Sequence, residues 1–390
     1  MKETQCQGVE KAISDYLRWM ISAGYKRATI YQYERILKHF ARFIRTRKVA
    51  PDAVFTFHTL KAFEKEHGLC LSSNAVKGLA RYLYRENRIA APITRLAQKL
   101  PDIYEHYLLD YQKTRQVGHN MLHWTRGVLS ALNRYLQKEK VALSGLKIEH
   151  LDDFLKTYNA PYAATSRAHN RSCLRTFLRY LYHEKNILRK DLAALLTAAP
   201  LYAYSNPPRF LRSDEVKRLF SNLGFSTQKD LRANAMVYLS YSLGLRPKEI
   251  SLIRLDDIFF CQGEIALPDR KNMNPIKLPL PEDTLKAICA YIIGARAQGE
   301  TRALFLTLRA PYKTVSPASV SQEITACLHK AKIPQTAYSL RHSYAQGLLD
   351  NGRSIFEIKE MLGHDKIQTS RRYIKIHLQL MRKVLWDETL

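Results

Sequence analysis

One short phrase occurs twice in this chain and limits its fold more than any other feature. Arg81-Tyr82-Leu83-Tyr84 returns as Arg179-Tyr180-Leu181-Tyr182. The same landmarks precede each copy in the same order. The first copy runs Asp15-Tyr16-Leu17, Gly24, Phe40, Phe43, Leu60, Phe63, and the second runs Asp110-Tyr111, Gly118, Leu132, Tyr135, Leu151, Phe154. Apolar residues in both copies recur at i, i+3, i+4, the spacing of one face of an α-helix. Two unrelated bundles would share a few aromatics, but a shared tetrapeptide that follows the same landmarks in matching order makes a duplicated four-helix unit the better explanation. Leu60 pairs with Leu151 and Arg81 with Arg179, so extra residues entered the second copy before its last helix. Two helical domains are expected, at 1–95 and 102–198, with a break from Ala91-Pro92 to Pro101-Asp102.

The stretch 199–209 holds Pro200, Pro207 and Pro208 and has no apolar period. Proline disfavours helix at its own position and just before it, so this is read as a linker. Beyond it, 210–390 is expected to form an α-rich domain. Ser213 is expected to cap a helix with Val216, Leu219 and Phe220 on its apolar face. A helix from Leu231 to Leu243 should stop at Gly244, and Pro247 suits the first turn of a short helix ending near Leu252. Three strand-like runs follow, Ile258-Phe259-Phe260, Glu264 to Leu267 and Ile276 to Leu280. Helices are expected again at about 282–297, 317–331, 338–350 and 354–362, with a last pair around Tyr373. The fold class is therefore mainly α with a small antiparallel β-sheet: tandem helical domains, then an α-rich C-terminal domain.

Charge narrows the function. The 390 residues include 62 Lys+Arg against 35 Asp+Glu, a formal net charge of +27. Such a surplus fits a polyanion partner, because each neutralised phosphate releases counterions. A disordered basic protein is excluded by 46% hydrophobic residues and 23 tyrosines, since disorder needs low hydrophobicity. The six cysteines (Cys6, Cys70, Cys173, Cys261, Cys289, Cys327) form no CxxC pair and read as core fillers in a reducing compartment. Neither a secretory signal nor an apolar run of membrane-spanning length is present, so no membrane partner is expected and a cytoplasmic, nucleoid-associated location is. Acidic residues do not gather near the basic motifs, so no metal and no cofactor are expected.

Chemistry concentrates in four motifs: Gly244-Leu245-Arg246-Pro247-Lys248-Glu249, Tyr338-Ser339-Leu340-Arg341-His342, Leu362-Gly363-His364 and Ser370-Arg371-Arg372-Tyr373. Two arginines can clamp one phosphate through bidentate forks, and a tyrosine hydroxyl can attack it and hold it covalently. In order and spacing these motifs resemble the catalytic domain of the tyrosine recombinases, the integrase and Xer type of site-specific DNA recombinase, over 209–385. Residues 103–190 resemble the family's helical, SAM-like core-binding domain, and 1–90 look like a further domain of that kind. The resemblance implies that Arg246 and Arg341 are the paired arginines, Glu249 the acidic residue beside the first, His364 the late histidine and Tyr373 the nucleophile. Lys271, between the second and third strands, stands where the family keeps its catalytic lysine, flanked by Arg270 and Lys277. Glu249 is expected to orient Arg246 rather than handle protons. One position departs from the family. Three residues before the second arginine the family usually has histidine, and here Tyr338 stands. Tyrosine can donate a hydrogen bond to a phosphate oxygen but cannot become cationic near neutrality.

Grip on DNA is expected from the helical copies. Ser166, Arg167, Asn170, Arg171 and Arg175 lie near one face of a helix, as major-groove reading needs, and Lys26 and Arg27 start a comparable helix in the first copy. A solvated face explains any single one of these equally well. The resemblance implies duplex recombination sites as partners and a tetramer on DNA. It also implies strand exchange through a 3′-phosphotyrosyl intermediate and a Holliday junction, for integration of a mobile element. Other recombinases or DNA-bending proteins could assist. One rival is a non-catalytic DNA-binding regulator that keeps the fold, which Tyr338 favours. Another shares the chemistry but resolves ends or relaxes supercoils.

Overall fold

The computed structural model describes residues 2–67, 72–93, 99–197, 209–268, 276–299 and 301–363. The chain divides into two compact units, Thr94–Ser205 and a larger one made of Met1–Ile93 with Asn206–Leu390. The larger unit contains separate hydrophobic cores for its two segments.

The first segment is four helices: α1 (Lys2–Ser22), α2 (Arg27–Arg47), α3 (Phe57–His67) and α4 (Ser72–Arg85). Their apolar faces meet in a core built on Tyr16, Met20, Leu37, Phe40, Phe63, Val76 and Leu79. Fully burying an aliphatic or aromatic side chain of this size stabilises by about 1.5–3 kcal/mol, which is why such faces cannot stay apart. Gly78 lets α4 close onto α1, since a Cβ there would lie 2.3 Å from the Tyr16 hydroxyl.

The smaller unit repeats the plan with α5 (Asp102–Arg115), α6 (His119–Lys138), α7 (Ile148–Asn159) and α8 (Ala164–Arg179), followed by a π-helical turn at Tyr180–Glu184 and a short α9 (Leu192–Leu195). The two sets of four helices make matching aromatic contacts. Phe43 meets Phe63 at 5.4 Å between ring centroids, and Tyr135 meets Phe154 at 5.6 Å. Tyr16 meets Tyr82 at 5.5 Å, and Tyr107 meets Tyr180 at 5.2 Å. The counterpart of Tyr16 is thus Tyr107, one turn before the Tyr111 that the sequence suggests. The described part of α4 runs from Ser72 through the shared Arg81, and α8 runs from Ala164 to the shared Arg179.

The C-terminal segment holds α10 (Ser213–Ser221), α11 (Gln228–Ser242), α12 (Pro247–Leu252), then β1 (Ile258–Phe259), β2 (Glu264–Leu267), β3 (Ile276–Pro279), and α13 (Glu282–Gly294), α14 (Pro317–Lys330), α15 (Tyr338–Asp350) and α16 (Ile355–Leu362). The sheet is antiparallel in the order β1-β2-β3, with Ile265 opposite Ile258 and Leu278. Helix α11 is the hub, packed against α12, α13, α14 and α15. Arg232 to Val237 on it are all buried, the pattern of a helix enclosed by its neighbours.

Several local expectations shift by a residue or a turn. Arg212, not Ser213, is the N-cap of α10, and its backbone N–H donates to the Glu215 carboxylate at 2.9 Å. Helix α11 starts before Leu231 because Thr227 and Asp230 form a reciprocal cap, at 3.1 Å each way. Cys173 is a core filler, its thiol pushed up by burial, but Cys261 is exposed. The linker at 199–208, Lys271, His364 and the pair of helices around Tyr373 lie outside the described residues. No helix among the described residues is long and apolar enough to cross a membrane.

Candidate active site

The site begins at a turn. Helix α11 ends at Ser242, and Gly244 reverses the chain with φ of +62°, a left-handed conformation that costs glycine little. An added Cβ at Gly244 would lie 2.4 Å from Tyr344 Cδ1, so the turn also needs glycine to sit against α15. Arg246 then caps α12 with extended backbone, and Pro247 occupies the first turn, where a missing N–H removes no hydrogen bond.

Glu249, one turn on, faces back. Its Oε2 accepts the Arg246 backbone N–H at 2.7 Å, and its Oε1 accepts Arg246 Nη1 at 2.6 Å. The same carboxylate lies 3.8 Å from Arg341 Nη1. Glu249 and Arg341 are nearly enclosed, each side chain 5% exposed, while Arg246 keeps 20%. A carboxylate shared between two guanidiniums in a buried setting balances two charges that would otherwise repel. It also fixes both forks in orientation.

Arg341 comes from the first turn of α15, whose register buries Leu340 and Arg341 together. Its Nη1 donates to the Gly244 carbonyl at 2.5 Å, and its Nη2 donates to the Leu362 carbonyl. Arg246 Nη2 donates to the next carbonyl, Gly363, at 3.0 Å. Two guanidiniums and one carboxylate therefore lace together the 244–249 turn, the start of α15 and the end of α16.

Tyr338 opens α15 and is 52% exposed, one turn before Arg341. Residues three apart on a helix share a face, so a hydroxyl there can act beside the arginine. Lys271 belongs to the connection from Leu267 to Ile276, the last pair of the β2–β3 ladder. His364 directly follows the described Gly363.

The expected DNA-reading face of α8 separates into different roles. Asn170 is fully buried. Its Nδ2 donates to Asn159 Oδ1 at 2.9 Å, and its Oδ1 accepts the Trp124 indole N–H at 2.8 Å. It joins α6, α7 and α8 internally and cannot read a base. Arg167 is exposed but donates to the carbonyls of Tyr162 at 2.6 Å and Ala160 at 3.2 Å, beyond the end of α7. Ser166, Arg171 and Arg175 are half-buried. Lys26, the N-cap of α2, and Arg27, its first residue, are exposed. Sequence reasoning missed the carbonyls of Gly244, Leu362 and Gly363; the only signal for them was glycine beside each arginine motif's partner segment.

Comparison with known proteins identifies the family. The model of the phage integrase family matches residues 209–379, and that of the phage integrase N-terminal SAM-like domain matches 104–185. An integrase/recombinase of Sinorhizobium fredii, y4rA, is 30% identical over 318 residues, covering 79% of this chain and 76% of its own length. The tyrosine recombinase XerD of Staphylococcus epidermidis is 28% identical over 297 residues, covering 72% of this chain and 96% of its own. A lambda integrase dimer bound to a COC′ core site has the same fold, with a TM-score of 0.55 at 19% identity over 71% of this chain and 95% of that one. The Tn1549 transposon integrase in complex with transposon right end DNA gives 0.54 at 13% identity over 72% of this chain and 99% of that one. The chain belongs to the phage integrase family, the tyrosine recombinases, enzymes that cut and rejoin DNA.

Proposed function

We propose that this chain is a site-specific recombinase acting on duplex DNA, and that Arg246, Arg341, Glu249, Lys271, His364, Tyr338 and Tyr373 form its active site. The observation that carries the proposal is the convergence of Arg246 and Arg341 on one shared carboxylate from segments far apart in sequence. Fixed guanidinium forks are suited to the charge that builds on non-bridging oxygens as phosphorus becomes pentacoordinate, and each such donor supplies roughly 10²–10³ in rate. His364 and the Tyr338 hydroxyl add donors. The Tyr373 oxygen attacks phosphorus, the bond from phosphorus to the 5′ oxygen breaks, and Lys271 gives that oxygen its proton. Phenolate leaves more readily than an alkoxide, so the 3′-phosphotyrosyl bond keeps enough energy for an incoming 5′ hydroxyl to reverse the step on the exchanged strand.

In this reading residues 210–390 are the catalytic domain, 102–198 the core-binding domain and 1–95 a second helical DNA-binding domain, with 199–209 as the linker. Two sites are joined in a tetramer, exchange passes through a Holliday junction, and the setting is a mobile element. DNA-bound relatives such as the lambda and Tn1549 integrases support the choice of duplex partner. The test is a nicked duplex from the flanks of the chain's own gene, on which cleavage releases a short fragment and traps the adduct. Wild type should accumulate covalent complex, and Tyr373→Phe should bind equally and trap none. Adducts from Tyr373→Phe would move the nucleophile elsewhere. No adduct from wild type, with binding intact, would favour the non-catalytic regulator that Tyr338 suggests.

A further inference from the structure

Two adjacent carbonyls end helix α16, and each is held by a different arginine of the site. Leu362 O accepts from Arg341, and Gly363 O accepts from Arg246 at 3.0 Å. The last carbonyls of a helix have no partner within it and carry the negative end of its dipole, so cationic caps are favoured there. What brings both carbonyls to the guanidiniums is Gly363. Its φ of 60° and ψ of 55° are left-handed, and its N–H turns back to Glu360 O at 2.9 Å. A right-handed or extended residue at this point would aim its carbonyl, and the chain after it, in another direction. The next residue is His364, and Tyr373 follows nine positions later.

We infer that Gly363 is a positioning residue. Its left-handed turn fastens the start of the segment that carries His364 and Tyr373 to the two guanidiniums that hold the scissile phosphate. A shift of either arginine toward DNA then acts on the end of α16, one residue before His364 in the sequence. This rests on the assignment of Arg246, Arg341 and Tyr373 above, so the test includes a readout that does not need cleavage.

Gly352, in the turn after α15, is an internal control. It is also left-handed, with φ of +76°, and an added Cβ there would meet nothing within 4 Å. Gly352→Ala and Gly363→Ala therefore impose the same kind of backbone strain, and only the second disturbs the arginine-held carbonyls. Both full-length variants, with Gly363→Asn, which tolerates the left-handed region, are compared with wild type. The readouts are adduct formation at saturating nicked duplex, and hydrogen–deuterium exchange of the peptides from 355 onward with and without a short duplex. Gly363→Ala should bind DNA within about 3-fold of wild type yet form adduct about 10–100-fold more slowly, the scale of an ångström-sized misplacement. It should also lose the DNA-induced change in exchange beyond Gly363. Gly363→Asn should recover most of both, and Gly352→Ala should match wild type in both. Equal behaviour of Gly363→Ala and Gly352→Ala in rate and exchange would overturn the inference, as would equal loss in Gly363→Asn and Gly363→Ala. If Gly363→Ala does not fold, Gly363→Asn decides: near wild-type rate and exchange support the inference, and loss of both overturns it. Should wild type form no adduct, the functional reading fails, while the exchange comparison still decides whether Gly363 links the arginines to the following segment.

Discussion

Asn170 carries the clearest lesson at the scale of single residues. Its position on α8 suits a base-reading helix, yet its amide is consumed inside the protein by Trp124 and Asn159. Asn170→Ala should therefore destabilise the smaller unit by about 1–3 kcal/mol, because the buried Asn159 side-chain carbonyl loses its partner and a part-buried indole N–H loses its own. Chemical denaturation measures that loss, and the salt slope of DNA binding should stay at its wild-type value. A reduced slope at unchanged stability would return Asn170 to the DNA interface. The contrast with Arg246, Arg341 and Glu249 is instructive. Those three stood out through the family resemblance, which rests on motifs in a fixed order. Their acceptors at Gly244, Leu362 and Gly363 did not, since every residue has a carbonyl and only the folded chain aims one.

Among the elements, α11 decides most. It is nearly enclosed, and the one charge it buries, Arg232, is matched by Glu323 on α14. Nε donates to Oε2 at 3.0 Å, Nη2 donates to Oε1, and Nη1 reaches the Leu306 carbonyl at 2.6 Å. Removing one member leaves the other buried and uncompensated, whereas replacing both with apolar residues of similar volume is often close to neutral. Arg232→Met should cost about 3–5 kcal/mol, and Arg232→Met with Glu323→Leu should recover much of it. Denaturation of the four proteins of this cycle gives the coupling directly. A double variant no more stable than Arg232→Met would mean that the Leu306 carbonyl, not the ion pair, sets the cost. Element type and approximate extent followed from local signals, as α12, read from Pro247 in its first turn, and the three strand-like runs demonstrate. The caps did not: Thr227 and Asp230 settle where α11 begins through two side-chain bonds that an apolar period does not register.

For the whole molecule, the net charge of +27 and the duplicated helical unit belong together. If the first copy grips DNA as the second is proposed to, deleting residues 1–95 should weaken binding and shrink the salt slope by roughly 0.9 per lost phosphate contact. Titrating a short duplex at several salt concentrations tests this. An unchanged slope would assign the first copy to protein contacts instead. The equivalent tyrosine pairs, Tyr16 with Tyr82 and Tyr107 with Tyr180, show that the two copies share a packing scheme even where the linear alignment around Tyr111 misleads.

The sequence by itself determined the class of fold and the family, and it pointed to a duplication, to a polyanion partner and to the residue types proposed for the site. Each of these is written in local spacing or in summed charge, quantities that need no knowledge of what lies opposite. Only the tertiary structure decided that Asn170 faces inward and that Glu249 stands between two arginines. It alone also placed the end of α16 under both guanidiniums. These depend on which surfaces meet across long stretches of chain, and that is settled by the competition to bury apolar faces while leaving no enclosed charge or carbonyl without a partner.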